Sequence, residues 1–188
     1  MPVLKNILEN SRRELKNPRS LTAASLLVAI YAISYYPAVG RFMIIPGFIE
    51  IRFGFIALAV AAALFGPFMA VIVAFLGDIT GVLLFSGASF FWGFTLNWML
   101  LAFVFGLCFY KEKITLPRIV CAMLFNTCAI SSILTPFWLQ MMSGRTFQEW
   151  FLLRLPLNAA MLPVNIALLY LALRAVCTAY GRVTASHK

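Results

Sequence analysis

Long stretches without a charged residue are the feature that most constrains how this chain folds. Five such stretches occur, over 20–40, 53–77, 79–110, 119–144 and 155–173. A helix needs about 20 mostly apolar residues to cross the hydrocarbon core of a bilayer. The chain is 63% hydrophobic and 11% charged, whereas soluble domains are about 45–50% apolar and about 25% charged. The sequence therefore predicts one integral membrane domain over 1–188 and argues against a nucleic-acid-binding protein.

Turn-forming residues divide the longer stretches. Gly66-Pro67 interrupts the second stretch, because proline lacks an N–H and favours a helix start. The run 86–89, Ser-Gly-Ala-Ser, interrupts the third. We therefore predict an all-α fold with six transmembrane helices in a bundle over 19–176. These are expected near 19–36, 52–65, 67–84, 93–110, 116–138 and 150–176, and the short second one is alternatively a re-entrant segment.

The positive charges predict the orientation of this bundle. With six spans, both termini and the 111–118 loop share one side, which holds Lys5, Arg12, Arg13, Lys16, Arg19, Lys111, Lys113, Arg118, Arg174, Arg182 and Lys188. The opposite side holds Arg41, Arg52, Arg145 and Arg154. Eleven positive charges against four predict that both termini are cytoplasmic. Segment 1–18 is expected to form a short amphipathic helix on the inner leaflet, and 177–188 a cytoplasmic tail.

Residues suited to catalysis are scarce in this chain. Its one histidine, His187, lies next to the C-terminus, and none of the four cysteines forms a Cys-x-x-Cys pair. Asp78 is the one acidic residue deep in an apolar stretch. A carboxylate without a second acid or base nearby is poorly suited to acid–base catalysis. We therefore expect no catalytic residue, metal site or cofactor, and no enzymatic activity.

The arginines on the outer side go against the charge bias and are candidate ligand-binding residues. Arginine suits a two-pronged hydrogen bond to a carboxylate, and an ionisable residue within a span is a functional candidate. Arg41, Arg52 and Arg154 are therefore assigned to a binding site, whereas Arg145 is interpreted as structural. The alternatives are ion pairs, such as Arg154 with Asp78, or contact with lipid headgroups.

Aromatic residues concentrate on the same side, where flat rings and arginines favour a planar ligand with carboxylate groups. An aromatic belt at the membrane interface is the alternative, and asparagine amides either bind ligand or join helices. The remaining candidates for substrate binding are Phe53, Phe90, Phe91, Trp92, Phe94, Asn97, Trp138, Asn158 and Asn165.

Small residues in the first span predict a surface for close helix packing. Ser25 and Ala29 have the small-x-x-x-small spacing, with Ala24 and Ala32 nearby. The partner helix belongs either to this chain or to another protein.

The order and spacing of several motifs resemble the folate-type S components of energy-coupling factor (ECF) vitamin transporters, from about residue 20 onward. The matching segments are Ser25-Leu26-Leu27-Val28-Ala29, Arg52-Phe53-Gly54-Phe55, Leu64-Phe65-Gly66-Pro67, Gly77-Asp78-Ile79-Thr80-Gly81, Phe90-Phe91-Trp92-Gly93-Phe94-Thr95, Arg154-Leu155-Pro156 and Leu162-Pro163.

The resemblance implies a six-helix protein of the bacterial cell membrane that captures a vitamin from outside. It implies docking on a membrane coupling subunit, the T component, and on two cytoplasmic ATPases that supply the energy. The surface of Ser25 and Ala29 matches the one that S components present to the T component. Loops near 37–51, 85–92 and 139–149 are then expected to gate the ligand pocket.

One position departs from the folate-type pattern. Members of that group often carry a basic residue three positions after the arginine of the sixth span, and here Leu157 stands there, followed by Asn158. Folate or a folate-like compound is the expected cargo. Another small vitamin such as pantothenate, or a structural subunit without a ligand, is the alternative.

Overall fold

The computed structural model describes residues 2–36, 41–45, 49–86, 90–112 and 114–186. Within them the helices and strands follow in the order α1 (Pro2–Glu14), α2 (Pro18–Ile33), β1 (Arg41–Ile45), β2 (Ile49–Arg52), α3 (Gly54–Phe65), α4 (Pro67–Gly81), α5 (Trp92–Phe109), α6 (Leu116–Phe125), α7 (Thr135–Ser143) and α8 (Phe147–Ser186). Two π-helical segments, Val82–Ser86 and Asn126–Leu134, continue α4 and join α6 to α7. The fold is thus predominantly helical, as predicted.

Four helical runs of the described residues are long and apolar enough to cross a membrane, namely Pro67–Phe85, Trp92–Phe109, Leu116–Ser143 and Phe147–Val176. They correspond to the last four predicted spans. The helices Pro18–Ile33 and Gly54–Phe65 are apolar but shorter. The helix break at Gly66-Pro67 is confirmed, because α3 ends at Phe65 and α4 begins at Pro67.

A two-stranded antiparallel hairpin, β1–β2, lies between α2 and α3 and was not predicted. It occupies most of 41–52, so 52 belongs to a strand rather than to the second span. The signal is present in the sequence, since Pro46-Gly47 separates two runs rich in isoleucine, a pattern typical of a hairpin. We call the end of the bundle that carries this connection the hairpin end.

The helix ends differ from the prediction at two other places. Residues 34–36 form turns rather than the last turn of the first span. The final helix α8 continues to Ser186, so the predicted tail is helical over most of its length, and residues 187–188 lie outside the described part. Pro156 and Pro163 lie inside this helix without ending it, since neighbouring helices in a membrane protein can satisfy the freed backbone groups.

Glycines at helix crossings set how closely the helices of the core approach. Gly106 of α5 lies against the first residue of α4, because a Cβ placed at Gly106 falls 2.6 Å from the backbone nitrogen of Pro67. Tyr31 of α2 is fully buried between Gly54 and Gly77, whose added Cβ atoms would both collide with its ring. These contacts hold α2, α3, α4 and α5 together as the core of the bundle.

The amphipathic helix α1 packs against the α3–α4 junction, at the opposite end of the bundle from the hairpin. Ser11 is completely buried there. Its hydroxyl donates to the Phe65 carbonyl at 3.3 Å and accepts from the Phe68 N–H at 3.1 Å. The hydroxyl therefore satisfies backbone groups that the break at Gly66-Pro67 leaves without helical partners. The predicted helix is present, with the side chain of Ser11 buried against its own bundle.

Candidate ligand-binding site

An aromatic cluster at the hairpin end joins α5 to α7. Phe91 lies edge-on to both Phe94 and Trp138, with ring centroids 5.7 Å and 5.9 Å away. Gly93 gives the indole its space, because a Cβ there would fall 2.5 Å from Cδ2 of Trp138. Three of the predicted aromatic residues, Phe91, Phe94 and Trp138, are therefore brought together.

Asn97 fixes the orientation of Trp138 in this cluster. Its amide oxygen accepts from the indole N–H of Trp138 at 3.1 Å, and its amide nitrogen donates to the Thr135 hydroxyl at 3.2 Å. Asn97 is only 6% exposed, so unmade bonds at this amide would be costly. Of the two interpretations of Asn97, the structure favours the one in which the amide joins helices.

Phe90 and Trp92 form a separate cluster with Phe75 of α4. Trp92 stacks on Phe75 with centroids 6.4 Å apart and meets Phe90 edge-on at 5.0 Å. The side chain of Trp92 is 66% exposed, as expected for a residue that faces lipid or the membrane interface. These two predicted residues therefore lie apart from the contacts of Phe91 and Trp138.

The hairpin places Arg41 and Arg52 directly opposite one another. They are register partners at the ends of the two strands nearest α2 and α3. Phe53 follows at once and is exposed at the start of α3. The backbone thus brings two predicted cations together that are eleven residues apart in sequence.

Helix α8 supplies the other predicted polar residues. Asn158 is half-buried and donates to the hydroxyl of Ser132, in the second π-helical segment, at 3.3 Å. Arg154 is also half-buried and stands one turn, about 6 Å, closer to the start of α8. Asn165 lies almost two turns beyond Asn158, deeper in the bundle. Leu157, which stands where folate-type members often carry a basic residue, is also half-buried.

The hairpin end also holds a buried polar cluster, centred on Asp78, that the sequence did not predict. Asp78 is 2% exposed, and its two carboxylate oxygens accept hydrogen bonds from the hydroxyls of Tyr35 and Thr95, the latter at 2.6 Å. The Tyr31 hydroxyl lies 3.4 Å from that of Tyr35. Asp78 lies on α4, Thr95 on α5, Tyr31 on α2 and Tyr35 just after α2. Because these residues are far apart in the sequence, no local pattern predicts that they meet.

The small residues of α2 divide between two faces. Ala24 and Ala32 are each 5% exposed and pack inside the bundle, whereas Ser25 and Ala29 are exposed. The surface predicted for a partner is therefore reduced to Ser25 and Ala29. An open depression of about 700 Å³ borders it, lined by Arg19, Thr22, Ala23, Ser25 and Leu26. It lies along α2 and shares no residue with the aromatic cluster.

The described side chains at the hairpin end are mostly aromatic and polar groups. They include the rings of Phe91, Phe94 and Trp138 and the arginine Arg154, residue types that are able to contact a planar ring and a carboxylate. Among the residues that the structure describes, no three His, Cys, Asp or Glu side chains come together as metal ligands.

Comparison with known proteins identifies the family. A family model described as "ECF transporter, substrate-specific component" matches residues 19–175, almost the whole bundle. A folate transporter FolT from Clostridium novyi (strain NT) is 33% identical over 122 residues, which cover 65% of this chain and 71% of that protein. A folate transporter FolT from Leuconostoc mesenteroides is 25% identical over 173 residues, 88% of this chain and 92% of that one.

A solved structure agrees with these relatives. The crystal structure of FolT bound with folic acid superimposes with a TM-score of 0.72 at 31% sequence identity, covering 82% of this chain and 92% of that chain. The resemblance in the motifs is thereby confirmed over the length of the bundle. The family is one of transporter substrate-binding components and not of enzymes. The chain belongs to the substrate-specific components of ECF transporters, and is a multi-pass membrane protein.

Proposed function

We propose that this chain captures folate, or a close relative of folate, from outside a bacterial cell and releases it inward. The observation that carries the proposal is the likeness, at 31% identity over 82% of the chain, to a protein crystallised with folic acid. The names of the two relatives support the same cargo.

The chemistry of the candidate site supports this cargo independently. Folate has a flat pterin ring, an aminobenzoyl ring and a glutamate tail with two carboxylates. The cluster of Phe91, Phe94 and Trp138 offers edges and faces for the rings. Arg154 and the opposed pair Arg41 and Arg52 offer positive charge for the tail. In this proposal, Arg41 and Arg52 on the hairpin supply the positive charge that is lost because position 157 is a leucine.

The proposed topology places the hairpin end outside and both termini in the cytoplasm. The charge bias supports this orientation, and α1 with the α3–α4 junction then lies at the inner end. The two shorter apolar helices, α2 and α3, are proposed to complete a six-span bundle. Helix α3 has 12 residues, or about 18 Å, so it reaches across only part of the hydrocarbon core.

Transport requires partners in this proposal. A coupling T subunit docks on the exposed side of α2 at Ser25 and Ala29, and two cytoplasmic ATPases supply the energy. Small residues at that position allow a partner helix to approach closely.

We expect cells that co-express this chain with a T subunit and two ATPases to accumulate labelled folate against its concentration gradient. Accumulation should stop when the ATPases are replaced by variants that bind but do not hydrolyse ATP, because the chain itself lacks a P-loop. The measurement is cell-associated label over time, with excess unlabelled folate or pantothenate as competitor. Uptake that persists with the inactive ATPases would contradict the proposed energy source, and competition by pantothenate alone would contradict the cargo.

A further inference from the structure

The hydroxyl of Thr135 reaches an unusually distant carbonyl of its own helix. Serine and threonine hydroxyls in helices bond to a carbonyl three or four residues back, and the hydroxyls of Thr22 and Thr80 do so here at four residues. The Thr135 hydroxyl instead donates to the carbonyl of Ile130, five residues back, at 2.9 Å, and the Thr135 N–H donates to the same carbonyl. Five residues is the step of a π-helix. The π-helical segment Asn126–Leu134 therefore decides where this hydroxyl points.

This bond sets the direction of a chain of hydrogen bonds that ends at Trp138. Because its only proton goes to Ile130, the Thr135 oxygen acts as an acceptor, and it receives the amide nitrogen of Asn97 at 3.2 Å. The amide oxygen of Asn97 then faces the indole N–H of Trp138, which donates to it at 3.1 Å. An indole N–H is a donor only. Each link thus has one direction, and the amide of Asn97 has one orientation.

Loss of the Thr135 hydroxyl would release this orientation. Asn97 is buried, so an amide nitrogen without an acceptor is costly there. The terminal torsion of asparagine has two broad minima, and the amide rotated by half a turn presents its nitrogen to an indole that does not accept. Trp138 would keep its packing on Phe91 and Gly93 but lose the bond that holds its N–H edge.

We propose that Thr135 is a positioning residue for ligand binding, acting through Asn97 on the ring of Trp138. This role rests on the proposed function, in which Trp138 contacts the planar part of the vitamin. The energy of an aromatic pair depends on the angle and offset of its rings. An indole that tilts freely therefore holds a planar ligand less tightly than one fixed by Asn97.

The affinity test compares Thr135→Val with Thr127→Val. Both variants replace a hydroxyl by a methyl group in the same run of helix, but the Thr127 hydroxyl makes no hydrogen bond to a residue that the structure describes. Calorimetric titration of the purified full chain with folate should show a Kd about fivefold higher for Thr135→Val, equivalent to one hydrogen bond between neutral groups. Thr127→Val should change the Kd by less than about twofold. Thr135→Ser, which keeps the hydroxyl, should restore the affinity of the unmodified chain.

A second measurement needs no ligand. The chain has four tryptophans, so ¹⁵N labelling of the indoles gives four N–H signals in an NMR spectrum, and Trp138→Phe identifies the Trp138 signal by removing it. In Thr135→Val this signal should shift, and its proton should exchange faster with solvent deuterium. The Trp150 signal should stay in place, because that N–H donates to Ser143 at 2.9 Å. Thr127→Val should leave all four signals unchanged.

Three results would rule out the positioning role of Thr135. The first is a Trp138 signal that is unchanged in Thr135→Val, and the second is a shifted signal with folate bound as tightly as before. The third is a lower melting temperature with neither the signal nor the affinity changed, as expected for a purely structural hydroxyl. If the unmodified chain does not bind folate, the proposed cargo fails, and the Trp138 signal then decides whether Thr135 positions the ring.

Discussion

Replacing Arg154 by alanine is expected to weaken folate binding roughly a hundredfold, a loss of about 2.7 kcal/mol. Arg154 is half-buried one turn from Asn158, at the end of the bundle where Phe91 and Trp138 meet. A carboxylate that loses its arginine in a partly desolvated site is left without a partner. The measurement is a folate titration of the purified chain by isothermal calorimetry.

Arg145→Ala is the matched control for this prediction. Arg145 is an exposed arginine at the hairpin end, whose guanidinium lies 5.7 Å from the ring centroid of Trp150, and its removal should change the affinity by less than about twofold. Arg154→Lys should give an intermediate loss, because lysine keeps the charge but lacks the two-pronged geometry. Equal losses in Arg154→Ala and Arg145→Ala would remove Arg154 from the site.

The second large effect concerns stability. Gly106→Ala is expected to destabilise the bundle by about 3 kcal/mol, because the added methyl collides with backbone atoms of Pro67 rather than with a movable side chain. A loss of this size corresponds to a fall of roughly 6–12 °C in the melting temperature of a chain this long. Differential scanning fluorimetry in detergent measures it.

Leu96→Ala on the same helix is the control for Gly106→Ala. It removes most of a side chain where Gly106→Ala adds only a methyl group, but Leu96 is exposed on the outside of α5, so the melting temperature should change little. Without a clash, Gly106→Ala should stabilise α5, because alanine has the higher helix propensity, by about 1 kcal/mol over glycine. A Gly106→Ala protein as stable as the unmodified chain, or more stable, would therefore show that α4 and α5 are not in close contact at this glycine.

The helices were predictable because their signals are local. Uncharged length locates the four long helical runs, and proline at a helix start locates α4. The hairpin was missed because 41–52 lies in a connection between two apolar helices, and its isoleucine-rich runs were interpreted as a loop. The extension of α8 to Ser186 was missed because positive charges after 173 mark the end of a span without ending a helix.

The site was predictable in its residue types and less so in its arrangement. Phe91, Phe94 and Trp138 do meet, but Trp92 turns to the outside with Phe75 although it adjoins Phe91 in sequence. Adjacent residues of a helix start point about 100° apart, and composition alone does not say which one faces the bundle. The donors to Asp78 lie 43 and 17 residues away, so only the packing of three helices reveals them.

The most direct test of the proposed function is a side-by-side titration of the purified chain with folate and with pantothenate, followed by intrinsic tryptophan fluorescence and by calorimetry. We predict saturable binding of one folate per chain, with quenching that is reduced when Trp138 is replaced by phenylalanine, and no saturation by pantothenate. Saturation by pantothenate or another vitamin without any response to folate would contradict the proposed cargo, although the chain would remain an ECF substrate-specific component.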